Sequence, residues 1–109
     1  MNIKYNEKEY NLAFDLNVVA NLQDKYGAFE TWFDKFAESN VRFIIDVIAE
    51  MINEAIDIKN EEEGTKEKKI TNNQAGRIAT QFLNGQKIVE LTDFMIDTIK
   101  DDALEEPKN

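Results

Sequence analysis

The chain has no cysteine and no histidine. The first absence removes a disulfide framework, thiolate metal sites and cysteine nucleophiles together, and it fits a reducing compartment. The second removes more. Without either residue the usual zinc, copper and iron ligands are missing, and so is the general base most used near neutral pH. An enzyme built from this sequence would have to run on carboxylates, lysines or tyrosines. A helical chain of 109 residues leaves little room for the deep pocket such chemistry needs. The expectation is a non-enzyme with no cofactor and no metal.

Positive charge is also scarce. Against 22 acidic residues stand 13 basic ones, a net charge of −9. Nucleic-acid binding depends on basic residues displacing phosphate counterions, so no nucleic-acid partner is expected. Charge this far from zero favours solubility. Met1-Asn2-Ile3-Lys4-Tyr5-Asn6-Glu7 lacks the apolar run of a signal peptide. No stretch approaches the roughly 18 apolar residues of a membrane span. A cytoplasmic protein without a membrane partner is expected.

What the sequence does contain is 42% apolar residues, the composition of a globular chain. At 109 residues the prior is one domain, with roughly 65% of the unfolded chain's surface buried. The pattern predicts a mainly α fold, a small bundle of about five helices with an N-terminal β-hairpin. Residues 1–14 form the hairpin, because Ile3 and Tyr5, then Tyr10, Leu12 and Phe14, alternate with polar neighbours around the turn-like Asn6-Glu7-Lys8-Glu9. Residues 15–58 are helical. Asp15 is the N-cap of the first helix, Phe14 and Val19 form a hydrophobic staple, Val19, Leu22 and Tyr26 face inward, and Gly27 stops the helix. A short helix over 28–38 carries Phe29, Trp32, Phe33 and Phe36 on one face.

Ser39 or Asn40 caps a central helix over 41–58, apolar on most of its circumference. Its polar residues, Arg42, Asp46, Glu50, Asn53, Glu54 and Asp57, line up as one stripe. Residues 59–70 are a charged loop or frayed helix end. Residues 71–104 form a helical pair. Thr71 to Gln74 is a capping box, with Ala75, Ile78, Ala79 and Phe82 following, and Asn84-Gly85 ends that helix. In the last helix Ile88, Leu91, Met95 and Ile99 point inward, and Glu90, Asp93, Asp97 and Asp101 point out. Residues 105–109 are a tail marked by Pro107.

Several constellations fail as chemistry. Glu61-Glu62-Glu63 lacks the alternating ligands and glycine spacing of a calcium loop. Asp101-Asp102 and Glu105-Glu106 lie near a terminus, where nothing holds a catalytic separation. A helix-turn-helix reading of the C-terminal pair would press Glu90, Asp93, Asp97 and Asp101 onto phosphates. The aromatic face is different. Aromatics at helical spacing are usually core, yet the central helix already offers ample apolar surface, and surplus apolar faces point to a partner groove or self-association. Phe29, Trp32, Phe33 and Phe36 are therefore the candidate partner-binding residues, with Trp32 the anchor.

The opening IKYNEKEYNLAFD, the immediate helix LNVVANLQDKYG and an aromatic-rich short helix before a long apolar one together resemble the tail assembly chaperones of long-tailed (siphovirus-type) bacteriophages and prophages. The resemblance follows element order over most of the chain, and rests at residue level on 3–58. It implies a protein needed to build the tail but absent from the virion. Such a protein coats the helical tape-measure protein, keeps it soluble and recruits tail tube subunits. In that family a programmed frameshift often adds a longer C-terminal form. No catalytic motif comes with the resemblance. Three other readings compete from the residues alone, one of them a small carboxylate-driven enzyme, which needs a concave pocket holding a carboxyl of raised pKa. An acidic regulatory or DNA-mimic protein would inhibit a basic partner through Asp93, Asp97 and Asp101, and a structural component would stay in the tail or capsid.

Overall fold

The computed structural model describes residues 1–104, with side-chain surroundings as far as residue 100. The expected tail over 105–109, and the side chains of Asp101 and Asp102, lie outside the described residues. Strands β1 (Asn2–Tyr5) and β2 (Lys8–Asn11) pair antiparallel, with Ile3 opposite Tyr10 and Tyr5 opposite Lys8. Asn6 and Glu7 alone form the loop, with φ of 49° and 65°. Positive φ at both central residues is what a two-residue hairpin turn of matching twist demands. An isolated hairpin is marginal, and this one is docked. Ile3, Leu12 and Phe14 are buried, and the Ala13 amide donates to the Met51 carbonyl at 3.0 Å.

Helix α1 (Leu16–Tyr26) opens on Asp15, whose carboxylate accepts from the amides of Asn17 and Val18. It closes at Gly27, where φ is 81° and the amide returns to the Gln23 carbonyl. Val18 and Leu22 are its buried residues, with Val19 and Tyr26 at their flank. A 3-10 turn (Phe29–Thr31) leads into the short α2 (Trp32–Ala37).

Asn40, not Ser39, caps α3, accepting from the Phe43 amide at 3.0 Å. This helix (Val41–Glu63) runs past the expected end at residue 58. Lys, Asn and Glu are compatible with a helix, so lack of apolar residues ends the burial there but not the helix. Gly64, in the left-handed conformation at φ 67°, ends it. Helix α4 (Asn72–Ala79) starts on the expected capping box, with the Gln74 amide on Thr71 Oγ1 and the Thr71 amide on Gln74 Oε1. The chain then tightens into a 3-10 turn (Thr80–Leu83). Asn84 caps the next helix as well as ending this segment, its Oδ1 accepting from the Gln86 amide at 2.8 Å. Helix α5 (Gly85–Leu104) completes the described chain.

The fold is thus mainly helical with an N-terminal hairpin, and α3 is its axis. Phe43, Ile44, Val47, Ile48, Met51 and Ile52 are all buried, along one half of that helix's circumference. The hairpin, α1, α2, α4 and the first half of α5 each add apolar side chains to the same cluster.

Candidate functional site

The four aromatics are brought together, and two of them, Trp32 and Phe36, face inward. Phe29 lies 5.0 Å from Trp32 and 5.3 Å from Phe33, centroid to centroid. Trp32 and Phe36 close edge-on upon Phe43 of α3 at 5.9 and 4.9 Å. Such tilted pairs add about 0.5–1.5 kcal/mol each beyond the area they bury. Trp32 is 0% exposed and its indole N–H donates to the Gly27 carbonyl at 2.9 Å. That one bond ties the stop of α1 to the start of α2. The structure therefore places Trp32 and Phe36 inside, and only Phe29 and Phe33 keep partial exposure. An anchor for a partner has to reach solvent, and the Trp32 side chain does not.

The polar stripe of α3 finds its partners on other elements. Much of it is a seam between elements. Glu50 and Glu54 accept from Asn21 and Asn17 of α1, both at 3.0 Å, an i, i+4 pair meeting an i, i+4 pair. The Asp15 carboxyl beside Glu54 raises its pKa above the usual carboxylate range, helped by burial and by Asp57, while Asn17 opposes. Asp46 is the one buried charged residue among those described. Its carboxylate accepts from the Tyr26 hydroxyl and from Asn72 Nδ2 at 3.3 Å, and Lys25 Nζ stands 3.9 Å away. It joins α1, α3 and α4. Burial, then the Asp46 carboxylate, push the Tyr26 hydroxyl up to about 12. Sequence reasoning put Asp46 in the polar stripe and gave it no partner. The missed signal is its position among Phe43, Ile44, Val47 and Ile48, where a stripe of charge could not stay wet.

Apolar surface is left open elsewhere. Val41 is 55% and Leu83 73% exposed. They flank a shallow groove of about 80 Å³ whose floor is Ile44, Ile45, Ala79 and Phe82. Gly76 also lines it, and a Cβ there would come within 3.6 Å of Ile45 Cδ1. Further along, α5 exposes Val89, Ile96 and Ile99, and Ile99 is thus not the inward residue its spacing suggests. Leu91 and Met95 are buried as expected. On the outer side of α5, Asp93 and Asp97 are exposed, and Glu90 stands 4.0 Å from Lys87.

Among the described residues, no cluster of carboxylates could hold a metal ion, and no helix is long and apolar enough to cross a membrane. The fold and the groove define a small helical domain with an uncovered apolar surface. No family model, curated protein or solved structure matches the chain.

Proposed function

We propose that this chain is a tail assembly chaperone that binds the tape-measure protein of a long-tailed phage and helps recruit tail tube subunits. The observation that carries the reading is the groove between α3, α4 and the 3-10 turn, flanked by the exposed Val41 and Leu83. An amphipathic client helix lays apolar side chains into such a groove. Isolated exposed apolar residues need no explanation, but a concave group of them does. The net charge of −9 suits the same role, since a strongly negative exterior keeps a loaded complex dispersed. The order of elements, hairpin, helix, aromatic short helix and long apolar helix, is the order on which the family resemblance rests.

The test is co-expression with the tape-measure and tube proteins encoded beside its gene, followed by purification at low and high salt. The expected result is a salt-resistant complex that keeps the tape-measure protein soluble and is lost with Leu83→Asp, a change at a largely exposed side chain. A tape-measure protein that aggregates regardless overturns the reading. A complex that forms only at low salt and dissolves on neutralising Asp93 and Asp97 would instead establish the acidic-inhibitor alternative.

A further inference from the structure

At the other end of α3, about 16 Å along its axis from the groove, a cleft of about 750 Å³ opens between β2, α3, α4 and the loop before α4. It inverts the character of the molecule. Lys8, Lys59, Lys68, Lys69 and Arg77 line it, against only Glu9 and Glu67, in a chain of net charge −9. Its apolar surface comes from Tyr10, Ile52, Ala55, Ile56 and Ile70.

The cleft is built in advance. Two asparagines of α3, seven residues apart, each clamp one loop residue by both backbone groups. Asn53 accepts from the Ile70 amide at 2.8 Å and donates to its carbonyl at 3.2 Å. Asn60 does the same for Glu67, both bonds at 3.0 Å, and Thr65 adds a third bond to Asn60. Lys59 closes on Glu67 at 2.8 Å, and Lys69 on Asp57 at 3.1 Å. Among the described residues, Lys8, Lys68 and Arg77 make no ion pair, and Lys8 Nζ lies over the Tyr10 ring at 5.1 Å. A held loop, with Lys68 on it and Arg77 beside it on α4 both uncommitted, spends little ordering entropy on binding.

The fourth wall sets the shape of the occupant. Lys8, Glu9, Tyr10 and Asn11 all border the cleft. Successive strand residues point to opposite faces, so four in a row meet the cavity along the strand's edge. That edge has no strand partner among the described residues, since β2 pairs only with β1. An unpaired edge is a template for an added strand.

We propose that this cleft binds an extended acidic peptide segment of a partner protein, laid along the free edge of β2, with carboxylates at Lys68 and Arg77 and apolar side chains over Ile56 and Ile70. The apolar floor gives nothing to a phosphate backbone, and the net charge repels a long polyanion. A short peptide carries few charges and fills both kinds of surface. The proposal goes beyond the chaperone reading and does not depend on it, because it concerns a second surface of different chemistry.

The full chain, alone, is titrated against a dye-labelled short peptide alternating glutamate and valine, and against the same peptide with lysine for glutamate. The expected result is saturable binding of the glutamate peptide, weakened by about tenfold or more in the Lys68→Glu, Arg77→Glu double variant. Amide NMR shifts should fall on residues 8–11, and the rest of the variant's spectrum should match that of the parent. Equal binding of both peptides, no saturation near about millimolar concentration, or shifts confined to the Val41–Leu83 groove would overturn the proposal. So would preferential binding of duplex DNA, or dimerisation abolished by the double variant, which would make a second copy the occupant.

Discussion

Helices α2 and α5 carry the same kind of signal and meet opposite fates. Each places large apolar side chains at helical spacing. In α2, six residues long, Trp32 and Phe36 are buried against Phe43. In α5, twenty residues long, Leu91 and Met95 are buried while Val89, Ile96 and Ile99 stay exposed. Periodicity tells which residues share a face. It does not tell whether another element covers that face. The short helix is strung between α1 and α3, with bonds from Trp32 to Gly27 and from the Asn40 amide to the Lys35 carbonyl fixing both ends. The long one leans on the 3-10 turn before it and extends beyond the shared core.

The sharpest way to break this comparison is Trp32→Ala. If the indole is core, its loss leaves a cavity beneath Phe29 and Phe43 and should cost about 3–5 kcal/mol. That is a large share of the total stability of about 5–15 kcal/mol for a small domain. Chemical denaturation should show an early midpoint, or a chain no longer folded at 37 °C. A Trp32→Ala protein with unchanged stability and a lost partner would reverse the assignment and return the aromatic face to the surface.

The covered side of the molecule also holds the buried carboxylate, which offers a second test. Asp46→Ala strands the Tyr26 hydroxyl and one bond of Asn72, and should cost about 1–3 kcal/mol. It should also change the alkaline limb of the stability curve. Tyr26 is raised from 10.0 to about 12 in the fold, so between those values the native state keeps a proton that the unfolded chain has released. Its contribution is complete below pH 10 and drains away as pH rises through about 12. Stability, measured by denaturation from pH 9 to pH 12, should therefore fall more steeply in the parent than in Asp46→Ala, which lacks one source of the shift. Parallel curves would mean that Asp46 does not hold Tyr26.

Much of the fold was legible because its punctuation is local. Asp15, Gly27, Asn40 and the Thr71–Gln74 box act within one turn of where they stand, and the alternation of Ile3 and Tyr5 needs only a strand. The central role of α3 followed from its apolar circumference. What was not legible depends on distant partners. Whether Trp32 is covered is decided by Phe43, eleven residues on. The stripe from Asp46 to Asp57 is legible as a stripe, but not the partners Asn17, Asn21, Tyr26 and Asn72 that use it. Residues 59–70, a charged run with one apolar residue at its end, became partly helix and partly a loop held by Asn53 and Asn60. Side-chain amides clamping a loop leave no periodicity to read.

The smallest effect completes the contrast. Ile99 is 40% exposed on the outer part of α5, where glutamine is a comparable helix former. Ile99→Gln should change stability by no more than about 0.5 kcal/mol, the usual range for surface substitutions. The measurement is the same denaturant midpoint used for Trp32→Ala, on the same chain. Two residues with large, mainly apolar side chains at equally regular spacing should then differ several-fold in what they contribute. If Ile99→Gln instead costs more than about 2 kcal/mol, as a core truncation would, something covers that side of α5 in solution. The covered and uncovered helices would then no longer be different in kind.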